Sequence, residues 1–152
     1  QLKYDNPHFI YQIQARLGDG GIYVSVWTDQ PIPDELKGIA SLDIEFAPML
    51  YVGHTYIMDG KVREIPHSPH GEMIIRKTDA SKPLPIATGK KFDINPDDAE
   101  RHITVSSAEQ NLLFYDGWSK AQNGWLVLRS LLPAGKSGKI LEWFISGETK
   151  KS

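Results

Sequence analysis

The chain has 152 residues, with 17 lysines and arginines against 19 aspartates and glutamates, and no cysteine. That length fits one domain with a packed core, and the missing thiols exclude disulfides, thiol nucleophiles and thiolate metal sites. A formal net charge of -2 leaves no basic excess to neutralise a phosphate backbone, so nucleic acid is not an expected partner.

From the N-terminus, Phe9, Tyr11, Ile13 and Ala15 alternate with polar residues over Phe9–Leu17. A period of two puts one set of side chains on each face of a strand. Gly18-Asp-Gly-Gly21 supplies a turn and Ile22–Trp27 returns, so residues 9–27 read as a hairpin. Pro31-Ile-Pro33 closes that run, and Asp34–Gly38 is a turn or a single helical turn. Ser41–Phe46 is a strand, with Leu42, Ile44 and Phe46 opposite Asp43 and Glu45. Leu50–Met58 is expected to continue that strand or to pair with it. Asp59-Gly60, between Tyr56–Met58 and Val62–Ile65, is a two-residue hairpin signal. Pro66, Pro69 and Gly71 break the chain before a short strand at Met73–Arg76.

Thr78–Lys91 carries Pro83, Pro85 and Gly89 and reads as loop. Asn95-Pro-Asp-Asp98 has the composition of a helix start: a capping side chain, proline at the first helical position, then acids. One or two helical turns to about Arg101 are expected. Strands resume at His102–Ser106, Asn111–Tyr115, Gly124–Leu131 and Lys139–Ile145, joined by turns at Asn123-Gly124 and Gly135-Lys-Ser-Gly138. About nine strands without long helical patterns between them predict an all-β fold, an antiparallel β-sandwich or jelly-roll-like domain. It would span residues 1–146, with one short helical turn near 96–101 and a polar tail over 147–152.

No apolar run approaches the roughly 20 residues of a bilayer span, so membrane insertion is not expected. A charged start followed by an apolar signal region is also missing. The start at Gln1 rather than Met points to a processed product or a piece of a longer polypeptide.

His67-Ser-Pro-His70-Gly-Glu72 offers two imidazoles and a carboxylate, donors that suit zinc. The spacing matches neither the helical H-E-x-x-H pattern nor a strand-borne His-x-His pair. Exposed loop histidines are the simpler reading, and no cofactor is expected. His54 and His102 are the histidines that neighbouring strands would contribute to such a site. Asp43 and Glu45 share a strand face, as the carboxylates of a glycosidase can. The simpler reading is a solvated face. There is no G-x-S-x-G elbow, and the glycine-rich turns precede no helix, so neither cradles a phosphate. An enzyme is the less favoured class.

The segment Tyr115-Asp-Gly-Trp118-Ser-Lys-Ala-Gln-Asn-Gly-Trp125 sets a tyrosine and two tryptophans around a polar loop. Aromatic faces stack on sugar rings and anchor protein interfaces, while Asp116, Lys120, Gln122 and Asn123 can hydrogen-bond hydroxyls. Alternation places Trp125 on the face of Val127, which directs it to the core; Trp118, inside the loop, is the one expected at the surface. Trp27 and Trp143 look like ordinary strand residues.

Tyr56-Ile-Met-Asp-Gly-Lys-Val-Arg-Glu-Ile-Pro-His-Ser-Pro69 resembles a phrase of bacteriophage tail and tail-fibre-associated proteins: strand, Asp-Gly turn, strand, Pro-x-x-Pro exit. The likeness ends after Pro69, where an aromatic strand with a tryptophan is usual and Glu72–Lys77 has none. It implies a virion or host-attachment role, hence an extracellular or virion-associated setting, and transfers no functional residue.

Three classes follow. The first is a non-catalytic β module that contacts a glycan or protein partner, as a structural or attachment domain. The second is a carbohydrate-binding module of a secreted polysaccharide-degrading enzyme. The third is a small metal-dependent β-barrel enzyme using His67, His70 and Glu72. The first is favoured. Exposed strand edges leave homo-oligomers open.

Overall fold

The computed structural model describes residues 2–5, 8–67, 84–116 and 125–147. Within them the chain forms twelve strands and two single 3-10 turns. The strands are β1 (Leu2–Asp5), β2 (His8–Gly18), β3 (Gly21–Thr28), β4 (Ser41–Phe46), β5 (Thr55–Met58) and β6 (Lys61–Glu64). They continue with β7 (Ala87–Gly89), β8 (Lys91–Ile94), β9 (Ile103–Ser107), β10 (Leu112–Tyr115), β11 (Leu126–Leu131) and β12 (Gly138–Gly147). All pairings are antiparallel. The larger sheet runs β1-β2-β3-β12-β9-β8-β5-β6 and the smaller β4-β11-β10-β7. The two pack face to face as a sandwich.

Alternation directs each inner face. Tyr56, Met58, Phe92, Ile94, Val105 and Trp143 point inward from the larger sheet, and Leu112, Phe114, Leu126 and Leu128 from the smaller. Aromatic rings bridge the sheets at the centre: Phe92 lies 4.7 Å from Phe114 and 6.3 Å from Phe46, centroid to centroid. In β12 strict alternation fails, because Ile140 and Leu141 are consecutive and both buried. A register shift between Lys139 and Leu141 resolves it; the extra residue of a bulge lets two neighbours face the core.

Both predicted hairpins form. β2 and β3 pair from Tyr11↔Thr28 to Gly18↔Gly21. In the β5–β6 turn Asp59 has φ 48° and Gly60 φ 78°, the left-handed pair that a type I′ turn requires.

Four expectations are corrected. Leu50–Met58 neither continues nor pairs with β4. Pro48–Leu50 is a 3-10 turn, and β5 begins at Thr55 in the opposite sheet. Proline cannot donate to a ladder, so Pro48 stands where the chain leaves one sheet for the other. The stretch read as loop contains β7 and the first residue of β8. No helical turn forms near 96–101: these residues make successive turns. Asn95 has φ 55°, whereas an N-cap sits in the extended region, so its left-handed backbone opens a turn instead. β1 extends the larger sheet beyond the first predicted strand. The expected strand at Met73–Arg76 lies outside the described residues.

One carboxylate secures a corner between the sheets. Lys90 alone separates β7 from β8, and Asp59 Oδ1 accepts the backbone N–H of Lys90 at 2.9 Å and of Lys91 at 2.8 Å. Those two donors hold the Asp59 carboxyl below the usual aspartate range. A Cβ at Gly89 would collide with this carboxylate and with Met58 Sδ, so the corner needs glycine there. A folded-state pKa below the unfolded value means that Asp59 contributes stability above the unfolded pKa. That contribution is lost as pH falls through the folded value. Asp59→Ala should cost about 1 kcal/mol at neutral pH, discounted for solvent exposure, and the deficit should shrink below about pH 4. Urea titrations of both proteins at pH 7 and pH 3 would check it; an equal deficit at both would mean that the charge plays no part.

Candidate functional site

Of the aromatic segment, Tyr115 lies on the outer face of the smaller sheet, which it shares with Asp43, Glu45 and Arg129. In β4, Asp43 and Glu45 project away from the core that Phe46 enters. In β11 the register sets Arg129 opposite Asp43 and Val127 opposite Glu45. In β10, Leu113 faces Arg129 and Tyr115 faces Val127. Trp125 immediately precedes β11 and continues the Val127–Arg129 alternation.

Arg129 is fixed at the middle of this face. Its Nε and Nη2 each donate to an Asp43 carboxylate oxygen at 2.9 Å, a parallel fork. The Asp43 hydrogen bonds and charge hold the guanidinium even more firmly protonated than usual. Its carbon stands 5.4 Å from the centroid of the Tyr115 ring, within cation–π range. Tyr115 is buried, and that burial raises its phenol pKa despite the nearby Arg129 charge. The face thus carries a rigid cation locked to one carboxylate, a second carboxylate at Glu45, and aromatic surface beside them.

Trp125 is 40% exposed. Its partner in alternation, Val127, is buried, but on the outer face of the sheet rather than in the core between the sheets. The expectation that sharing a face with Val127 draws Trp125 into the core is therefore corrected. Asp116 follows Tyr115 directly. Trp118, Lys120, Gln122 and Asn123 lie outside the described residues. Trp27 is a half-exposed strand residue whose Nε1 donates to Ser25 Oγ at 2.9 Å, and Trp143 is fully buried.

The histidines do not converge among the described residues. His67 is largely exposed, 3.6 Å from the Glu64 carboxylate, with its ring against Gly53. His54 is exposed in the turn before β5. His102 sits across the larger sheet's outer face, where its Nε2 is 3.0 Å from Asp93 Oδ1 and 3.3 Å from Thr104 Oγ1. Asp93 and Thr104 thus share one ring nitrogen, whereas a nucleophile–base–carboxylate relay needs them on opposite nitrogens. His70 and Glu72 lie outside the described residues. Among those described, no three His, Asp or Glu side chains group as a metal site.

Two arrangements escaped the sequence reading. Asp43 and Arg129 stand 86 residues apart. The alternation of Trp125, Val127 and Arg129 was the available signal, but only the β4–β11 pairing supplies the carboxylate. The Asp93–His102–Thr104 cluster requires β8, a strand that the sequence reading does not assign. Comparison with family models, curated proteins and solved structures gives no match.

Proposed function

We propose that the chain is a non-catalytic β-sandwich binding module whose smaller sheet presents its outer face to a glycan. The observation that carries this reading is the exposed Trp125, in line with Val127 and Arg129 on the side of the sheet that holds the Arg129–Asp43 pair and Glu45. A sugar ring offers an apolar C–H face that stacks on indole, and a rim of hydroxyls. Those hydroxyls match a preset guanidinium and carboxylates, which lose little freedom on binding because the fork is already closed. The phrase Tyr56–Pro69 supports placing such a module in a virion or attachment assembly. Its own residues serve the fold, however: Tyr56 and Met58 are core, and Asp59 pins the β7–β8 corner.

A glycan array followed by titration of tryptophan fluorescence tests this. A saturable hit should shift emission, and Trp125→Ala should weaken it roughly tenfold or more while leaving the melting temperature within a few degrees. An array without hits would overturn the glycan assignment and leave a protein as the partner. A steep fall in melting temperature would instead make Trp125 a structural residue.

A further inference from the structure

Among the described residues the four sheet edges are not alike. β7 has three residues, and β1 and β6 have four each. β6 also directs Lys61 and Arg63 to the side of Met58 and Tyr56, the core side, so an incoming strand would meet inward-pointing charge. β4 is the longest edge, with six residues, and its inward side chains are Leu42, Ile44 and Phe46. Among the described residues, its backbone ladder runs to β11 alone.

Beside β4 the larger sheet overhangs the smaller. Along the inner face of β2, exposure climbs from 5% at Phe9 to 50% at Ile13 and 84% at Leu17. A cleft of about 300 Å³ opens there, lined by Tyr11, Ile13, Val26, Leu36, Ile39 and Leu42. An apolar floor thus lies next to main-chain groups that, among the described residues, have no ladder partner beyond β11.

We infer that the free edge of β4 takes up an extended segment of a partner polypeptide as a fifth strand of the smaller sheet. Main-chain hydrogen bonds to β4 would hold it, and its alternate side chains would enter the cleft. Charge selects the occupant. On the outward side of β4 Arg129 already offsets the Asp43 charge, whereas Glu45 faces Val127 across the ladder, so the segment's residue opposite Glu45 should be basic and its inward residues apolar. A second copy fits poorly. β4 holds no lysine or arginine, so a second β4 strand places no cation opposite Glu45. The Trp125 side chain is not needed for this contact.

Panning a random dodecapeptide display library on the purified chain tests the inference. Enriched sequences should alternate apolar with polar residues over five or six positions, with lysine or arginine at the polar position opposite Glu45. A synthetic consensus peptide should lose at least tenfold in affinity against Ile13→Asp and against Glu45→Lys. It should lose as much when its alternate backbone nitrogens are methylated, and nothing against Trp125→Ala. Both Ile13 and Glu45 are exposed, so both variants should keep the parent melting temperature. No enrichment, enrichment without alternation, or binding indifferent to N-methylation would each overturn strand addition. A dimer in sedimentation whose β4 amides are protected from hydrogen exchange would overturn the partner segment in favour of a second copy.

Discussion

Phe92→Ala is expected to lower the free energy of unfolding by about 3–5 kcal/mol, a large part of the roughly 5–15 kcal/mol that holds a domain together. Phe92 is fully buried on β8 of the larger sheet. Its ring meets Tyr56 at 5.9 Å on the neighbouring strand, and Phe114 and Phe46 across the sandwich. Deleting it removes burial and also opens a cavity that the three remaining rings on two rigid sheets cannot collapse to fill. Phe92→Leu keeps most of the volume and should cost less than half as much. Leu17→Ala removes a side chain of the same class from a position that is already exposed, and should stay within about 0.5 kcal/mol of the parent. Urea denaturation decides it, read as a shift in midpoint at unchanged slope. A loss below 1 kcal/mol for Phe92→Ala would mean that the two sheets do not meet through this residue.

Phe92 also marks the boundary of what the sequence discloses. Lys91-Phe-Asp-Ile94 alternates as cleanly as Ser41–Phe46, yet it follows a stretch whose prolines and glycine argue for loop. Gly89 is there because the Asp59 carboxylate occupies the space a Cβ would need, and that reason is tertiary. The two hairpins were legible because their turn residues and strands are contiguous. Sheet membership was not: β4 and β5 are neighbours in sequence but belong to different sheets, and no local pattern says where a chain crosses. Asn95 shows the same limit at one residue. Its neighbours spell a helix start, but the cap depends on a backbone angle that composition does not encode. At the candidate site, the aromatic residues were visible as a cluster. Arg129 became meaningful only when pairing brought Asp43 to it.

Trp143→Ala should match Phe92→Ala in magnitude, about 3–5 kcal/mol, and the more informative measurement separates its ring from its N–H. Trp143 is fully buried on β12 of the larger sheet, and its Nε1 donates to Ser130 Oγ at 2.9 Å on β11 of the smaller. The Ser130 hydroxyl in turn donates to the Asn111 carbonyl at 2.7 Å. One hydroxyl thus accepts from one sheet and donates to the segment that leads into β10, so a polar thread crosses the apolar interior. Ser130→Ala removes little volume but strands the indole N–H away from water, at a cost of about 1–3 kcal/mol. Trp143→Phe loses ring area and removes the donor. With the donor gone, Ser130→Ala should become cheaper, so the double variant should fall short of the summed losses by about 1 kcal/mol or more. A double-mutant cycle by urea denaturation, with intrinsic fluorescence reporting the burial of the indole, makes the comparison. Losses that simply add would show that the Ser130 hydroxyl is not the partner of the Trp143 indole, and the cross-sheet thread would have to be abandoned.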